Sequence, residues 1–142
     1  MNTATTTAFY WLSQGIATLP VKFRDKVPDG RALRRAGFVD SEQESRPSWL
    51  ALQKRLPTVK EIEIFFQSSI INLGVITGGA RNLAVIDFDD FGAFVDWLRV
   101  NTLDTFMVRT SRGMHVYLFS EDPVTARSAP GIVDVKANGG YV

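Results

Sequence analysis

Apolar positions along this chain follow two rhythms. Near the start, Ala8, Phe9, Trp11 and Leu12 recur at helical spacing and Gly15 stands where a helix would stop. This predicts a helix over residues 5–14. "IATLPVKF" then reads as a strand. Residues 24–46 are mostly polar and punctuated by Pro28, Gly30 and Gly37, so they are expected to be a loop and the least ordered part of the chain. "PSWLALQKRL" looks like a short helix. After Pro57, Thr58 and Glu61 have capping-box spacing ahead of Ile62, Ile64, Phe65 and Phe66, which predicts a helix start.

The rhythm then shortens. "NLGVITG" and "NLAVIDFD" read as strands, and the turn-like "GGAR" between them allows a hairpin. A helix is predicted from Asp90 to about Val100, with Phe91, Phe94, Val95 and Leu98 facing inward. "TFMVRTS" and "MHVYLFS" flank Arg112-Gly113 as a second hairpin. "GIVDVKA" is a further strand, turned at "NGG", and Tyr141-Val142 looks like the start of another. Strands and helices alternate, yet two connections are hairpin-short. The pattern therefore favours an α+β fold with a mixed or antiparallel sheet.

One strand raises a chemical question. "NLAVIDFDD" begins apolar and ends in Asp87, Asp89 and Asp90, whose like charges require compensation. Alternate strand residues share a face, so Asp87 and Asp89 are expected to point together. Asp90 suits the N-cap of the following helix. Strand ends often carry polar residues, so this pair alone does not decide between a site and a solvated edge.

Other residues sharpen the picture. His115 is the chain's one histidine. It lies within the apolar "MHVYLF", either as a satisfied core group or as a ligand behind the basic turn "RTSRG", which offers donors to an anion. Asp134 sits in the middle of an apolar strand, an arrangement that is costly unless the acid is paired or metal-bound. Lys136 shares its face and is a ready partner.

Composition narrows the chemistry. The 142 residues suit one domain, and 45% hydrophobic content is enough for a core. There is no cysteine, which removes disulfides, thiolate zinc sites and cysteine nucleophiles and is compatible with a reducing cytoplasm. No apolar run approaches bilayer length and the N-terminus lacks a secretory signal pattern, so a cytoplasmic protein without a membrane role is expected. Lys22, Arg24, Lys26, Arg31, Arg34 and Arg35 stand against Asp25 and Asp29, giving this segment a local +4 in a chain of net +1. Such a cluster reads as a solvated loop or as a surface facing phosphates. Three carboxylates and a histidine, without cysteine, suit Mg²⁺ or Mn²⁺ rather than zinc. Arg112 and Lys136 are the cations expected around a triphosphate.

"NLGVITG…NLAVIDFDD", "VRTSRGMHVYLF" and "GIVDVKANGGYV" together resemble the prim-pol branch of the archaeo-eukaryotic primase superfamily. This is the N-terminal bifunctional DNA primase/polymerase domain of plasmids, phages and prophages. "YWLSQGIATLPVKFRDKVP" and "PTVKEIEIFF" fit as well, so the resemblance covers nearly the whole chain in order. It implies a single catalytic domain over residues 1–142, with a small N-terminal α/β unit against an RNA-recognition-motif-like unit and the site between them. Asp87 and Asp89 match the family's paired metal-binding acids, and Asp134 matches the third. Gly113-Met114-His115 matches the motif whose histidine contacts nucleotide phosphate, and Ser111, Arg112 and Lys136 would line the triphosphate path.

The resemblance implies template-directed nucleotidyl transfer with two Mg²⁺ or Mn²⁺ ions. Single-stranded DNA would be the template, nucleoside triphosphates the substrates, and a helicase domain or protein of the same replicon a partner. The basic segment over residues 22–35 would guide template backbone. Some relatives carry a zinc-binding insertion, which this chain lacks the cysteines to build. The family's domain normally continues past "GGYV", so the chain is expected to be shortened at its C-terminus. Two other activities would use the same residues: a metal-dependent nuclease, which needs no triphosphate, and a non-catalytic nucleic-acid-binding module of a replication initiator.

Overall fold

A computed structural model describes residues 1–142. The chain begins with helix α1 (Thr3–Ser13), capped by Asn2, whose side chain accepts from the Thr5 amide. Gly15, at φ 72°, turns the chain out of the helix as its spacing predicts. Strand β1 (Thr18–Lys22) follows and pairs antiparallel with β2 (Ile71–Val75). Between them, helix α2 (Gly30–Arg35) precedes helix α3 (Val59–Phe65). Helix α3 starts at the predicted capping box, with the Thr58 and Glu61 side chains each bonded to the other's backbone amide. Ala8, Leu19, Ile62, Phe65 and Phe66 are fully or almost fully buried where these helices meet the two-stranded sheet.

The second unit is a five-stranded sheet. Its strands are β3 (Leu83–Phe88), β4 (Met107–Arg109), β5 (Met114–Phe119), β6 (Arg127–Ala129) and β7 (Val133–Lys136). They lie in the order β4-β5-β3-β7-β6. Every pairing in both sheets is antiparallel. The fold is therefore α+β, and the antiparallel alternative of the sequence reading is the one adopted. Helix α4 (Phe91–Val100) starts at Asp90, whose carboxylate caps the Ala93 amide at 2.7 Å.

Central strand β3 shows how alternation positions the site. Ala84, Ile86 and Phe88 share one face, and Phe88 and Ile86 pack with Phe94 of α4. Leu83, Val85 and Asp87 share the other. Leu83 and Val85 are buried with Trp11, Ile16, Val75 and Tyr117 against the N-terminal unit. Asp87 comes next along this face, where the apolar contact between the units gives way to a cleft.

Three expectations are corrected. The strands on either side of "GGAR" do not form a hairpin. Only a single bridge, Gly78 to Leu83, joins them, because both edges of β3 are taken by β5 and β7 while β2 turns to β1. The segment over residues 24–46 is not wholly loop, since helix α2 forms there with Asp29 as its cap and Ala32 and Leu33 buried. "PSWLALQKRL" yields only a 3₁₀ turn, Leu50–Gln53. Strand β6 leaves no signal in the sequence, because its three residues are exposed and not apolar in pattern.

Candidate active site

Five residues form one row across the sheet in the ladder register: Val108, His115, Asp87, Asp134 and Ser128. Directly opposed residues in antiparallel strands hold their Cβ atoms about 4.5–5.5 Å apart. The row thus brings an imidazole, two carboxylates and a hydroxyl together on three neighbouring strands and an edge.

Each acid has its own partner. The His115 Nε2 lies 3.2 Å from the Asp87 Oδ1. Lys136 donates to the Asp134 Oδ2 at 2.8 Å, and Ser128 donates to its other oxygen. These bonds, the lysine's first, hold the Asp134 carboxyl below its ordinary range. Asp89 lies just past the end of β3, where its amide still donates to the Ile132 carbonyl at 3.0 Å. Its carboxylate accepts from Arg112 at 2.9 Å. Within the chain, Arg112 answers Asp89 and the N-terminus of α4 takes Asp90, while Asp87 lies beside the His115 ring.

The β4–β5 turn places Arg112. Gly113 is buried against the end of β3, where a Cβ would lie 1.8 Å from the Phe88 carbonyl oxygen. Only glycine fits this approach, which explains the residue at this position of the motif on packing grounds. The Gly113 amide is taken by the Thr110 hydroxyl at 2.9 Å, while Ser111 and Arg112 stay exposed.

Tyr117 is a neighbour of the site that the sequence reading misses, although its place two residues after His115 on one strand face is a usable signal. It is buried, stacked on Trp11 with ring centroids 5.5 Å apart. Burial, and then the negative charge of Asp87, pushes its phenol up to about 12. Ser128 gives no signal, since β6 itself is not legible.

The row opens on a cleft of about 540 Å³ between the two units. Asp87, His115 and Lys136 line one side, and Asn72 and Gly74 of β2 line the other. Lys26 also reaches this cleft. Lys22, Arg31 and Arg34 line a different groove, of about 610 Å³, together with Asp29, Pro28 and Pro47. Arg24 lies 5.3 Å from the Phe23 ring centroid and Arg35 is exposed in the last turn of α2, so the fold divides the basic segment.

No three acidic or histidine side chains converge on one point. The donor set nevertheless fits a hard divalent cation in kind: Asp87 and Asp134 are opposed neighbours, and Asp89 follows one step beyond the strand. Their basic partners have room to move, since the Arg112 side chain is 67% exposed and that of Lys136 36%. Both would have to turn from their carboxylates for cations to enter.

The sequence profile of the Prim-Pol family, described as bifunctional DNA primase/polymerase, N-terminal, matches residues 8–142. A search of curated proteins finds no match to the chain. No helix is long and apolar enough to cross a membrane.

Proposed function

Because the chain belongs to the Prim-Pol family of bifunctional DNA primase/polymerase N-terminal domains, we propose that it joins nucleotides, supplied as triphosphates, on a single-stranded DNA template. Membership supports primase/polymerase-type nucleotidyl transfer in general. The observation that carries the finer reading is the row His115–Asp87–Asp134 on the cleft face of three adjacent strands. The row sets two acids and the chain's one histidine together where an apolar face meets a cleft.

Asp87, Asp89 and Asp134 would hold Mg²⁺ or Mn²⁺, which would lower the pKa of an attacking 3′-hydroxyl and neutralise the leaving pyrophosphate. Arg112 and Lys136, freed from Asp89 and Asp134, would turn to the phosphate tail. This exchange keeps each basic group near a negative partner throughout, so bringing in the substrate leaves no charge unmatched. His115 would lend an N–H to the triphosphate while Asp87 orients its ring. Lys22, Arg31 and Arg34, in their own groove, would run along the template backbone. Catalysis here is chiefly positioning and electrostatics.

The experiment is extension on single-stranded DNA with labelled nucleotides, in Mg²⁺ and separately in Mn²⁺. Product that depends on template and on triphosphate is expected. No product with either metal would overturn the reading in favour of a non-catalytic binding module. Template cleavage without triphosphate would favour a nuclease.

A further inference from the structure

We propose that Lys26 contacts the nucleotide's phosphate tail from the wall of the cleft opposite His115, and that Tyr141 positions it there. This rests on the nucleotidyltransferase reading above and separates Lys26 from the template-facing cations with which the sequence groups it.

The loop that carries Lys26 is held rather than free. The Lys22 amide donates to the Val27 carbonyl at 3.0 Å, and the Asp29 amide donates to that of Pro20 at 2.8 Å. Val21 and Pro28 form a bridge. Within this frame the Lys26 amide donates to the Asp25 carboxylate at 2.6 Å, and its carbonyl accepts from the Tyr141 hydroxyl at 2.6 Å.

Tyr141 is itself braced. Its ring meets Trp49 edge-on at 5.3 Å. Its backbone bridges Ile76. Gly74 leaves room for it, since a Cβ there would come within 3.2 Å of the Tyr141 ring. The tyrosine thus ties the loop's backbone to the two-stranded sheet, on the side of the cleft facing Asp87.

Charge gives the arrangement its purpose. Lys136 is paired with Asp134 and Arg112 with Asp89, so both of these cations already answer an acid. Lys26 is in no ion pair. Asp25 lines the cleft beside it, but that carboxylate is engaged by the Lys26 amide and not by its ammonium, which leaves the ammonium for an anion that arrives from solvent. A lysine ammonium is a compact point charge on a long stem and suits a phosphate that must enter and leave. Arg31 and Arg34 open onto the other groove with Lys22, and none of the three lines the cleft.

The test titrates a nucleoside triphosphate and its monophosphate, with Mn²⁺ present, on wild type, Lys26→Gln, Tyr141→Phe and the double variant. A fluorescent single-stranded oligonucleotide is titrated over a salt series in parallel. Lys26→Gln is expected to weaken triphosphate binding about tenfold or more. Monophosphate binding and the salt slope for DNA should be nearly unchanged. Tyr141→Phe should weaken triphosphate binding in the same direction but less. It should add little in the Lys26→Gln background, because it acts through that residue.

Three results would overturn the proposal: unchanged triphosphate affinity in Lys26→Gln, equal losses for both nucleotides, or a loss confined to DNA binding. A wild type that neither binds triphosphate nor extends a template would overturn the underlying reading, and this one with it. A wild type that does both, with an unaffected Lys26→Gln, would overturn this one alone.

Discussion

Asp87 and His115 are direct partners in the β3–β5 ladder, and the imidazole Nε2 lies 3.2 Å from the carboxylate Oδ1. Both side chains are largely buried, 19% exposed for His115 and 23% for Asp87, yet both still line the cleft. Asp87→Asn preserves shape and removes the charge. It should cost about 0–1 kcal/mol of stability, as for a partly exposed pair. Synthesis should fall by more than about 100-fold, since changes even one step outside a metal's ligands cost 10–100-fold. Urea unfolding alongside the extension assay checks this. Near-wild-type synthesis would remove Asp87 from the chemistry, while a large stability loss would make it a structural acid.

Gly113 bears on the same pair through the backbone. A methyl group there would sit 1.8 Å from the Phe88 carbonyl oxygen, so Gly113→Ala must push the β4–β5 turn away from the end of β3. Overpacking of this kind costs about 1–3 kcal/mol. It should also separate Arg112 from Asp89 and shift His115. Unfolding experiments should read the stability loss, and a His115 imidazole resonance moved in the spectrum of the folded variant would report the displaced strand. A fully stable Gly113→Ala with an unmoved resonance would contradict the close approach.

The groove lined by Lys22, Arg31 and Arg34 makes a prediction that distinguishes neighbours in sequence. Arg31→Ala and Arg34→Ala should each flatten the salt dependence of single-stranded DNA binding by about 0.7 for every phosphate no longer neutralised. Arg35→Ala, which lies outside the groove, should leave the slope unchanged. Equal effects from all three would mean that the segment acts only through its net charge.

Tyr117 gives a pH dependence. Its phenol is raised from 10.0 to about 12, by burial first and by the charge of Asp87 second. A raised folded value means that the stability it contributes is complete below about pH 10, where the phenol is protonated in both states. That contribution is lost as pH rises through about 12, because the unfolded chain sheds the proton first. The loss over this window should be about 2–3 kcal/mol. The difference in unfolding free energy between wild type and Tyr117→Phe, followed from mildly alkaline pH upward, isolates it. A difference that stays flat through this window would rule out the buried phenol as the cause.

Local sequence determined what local physics controls. The capping box at Thr58 and Glu61, the Asp90 cap, the hairpin around Arg112-Gly113 and the Asp134–Lys136 pairing each involve residues within about a turn or a strand step of one another. Such contacts leave their spacing in the chain, and so did the acids of "VIDFDD". Helix α2 and strand β6 left little trace, because six and three residues are too short for a periodic stripe.

The tertiary structure decided everything that depends on which strands meet. β2 leaves its neighbour in sequence for β1, far earlier in the chain, since β3 has both edges occupied. That choice separates the two sheets and opens the cleft between them. The same long-range pairing sets His115, Asp87 and Asp134 in one row, brings Tyr117 and Trp11 behind them, and sends Lys26 to the cleft while Arg31 and Arg34 face another groove. Periodicity gives the face on which a side chain lies. Only the closing of the sheets gives what stands opposite.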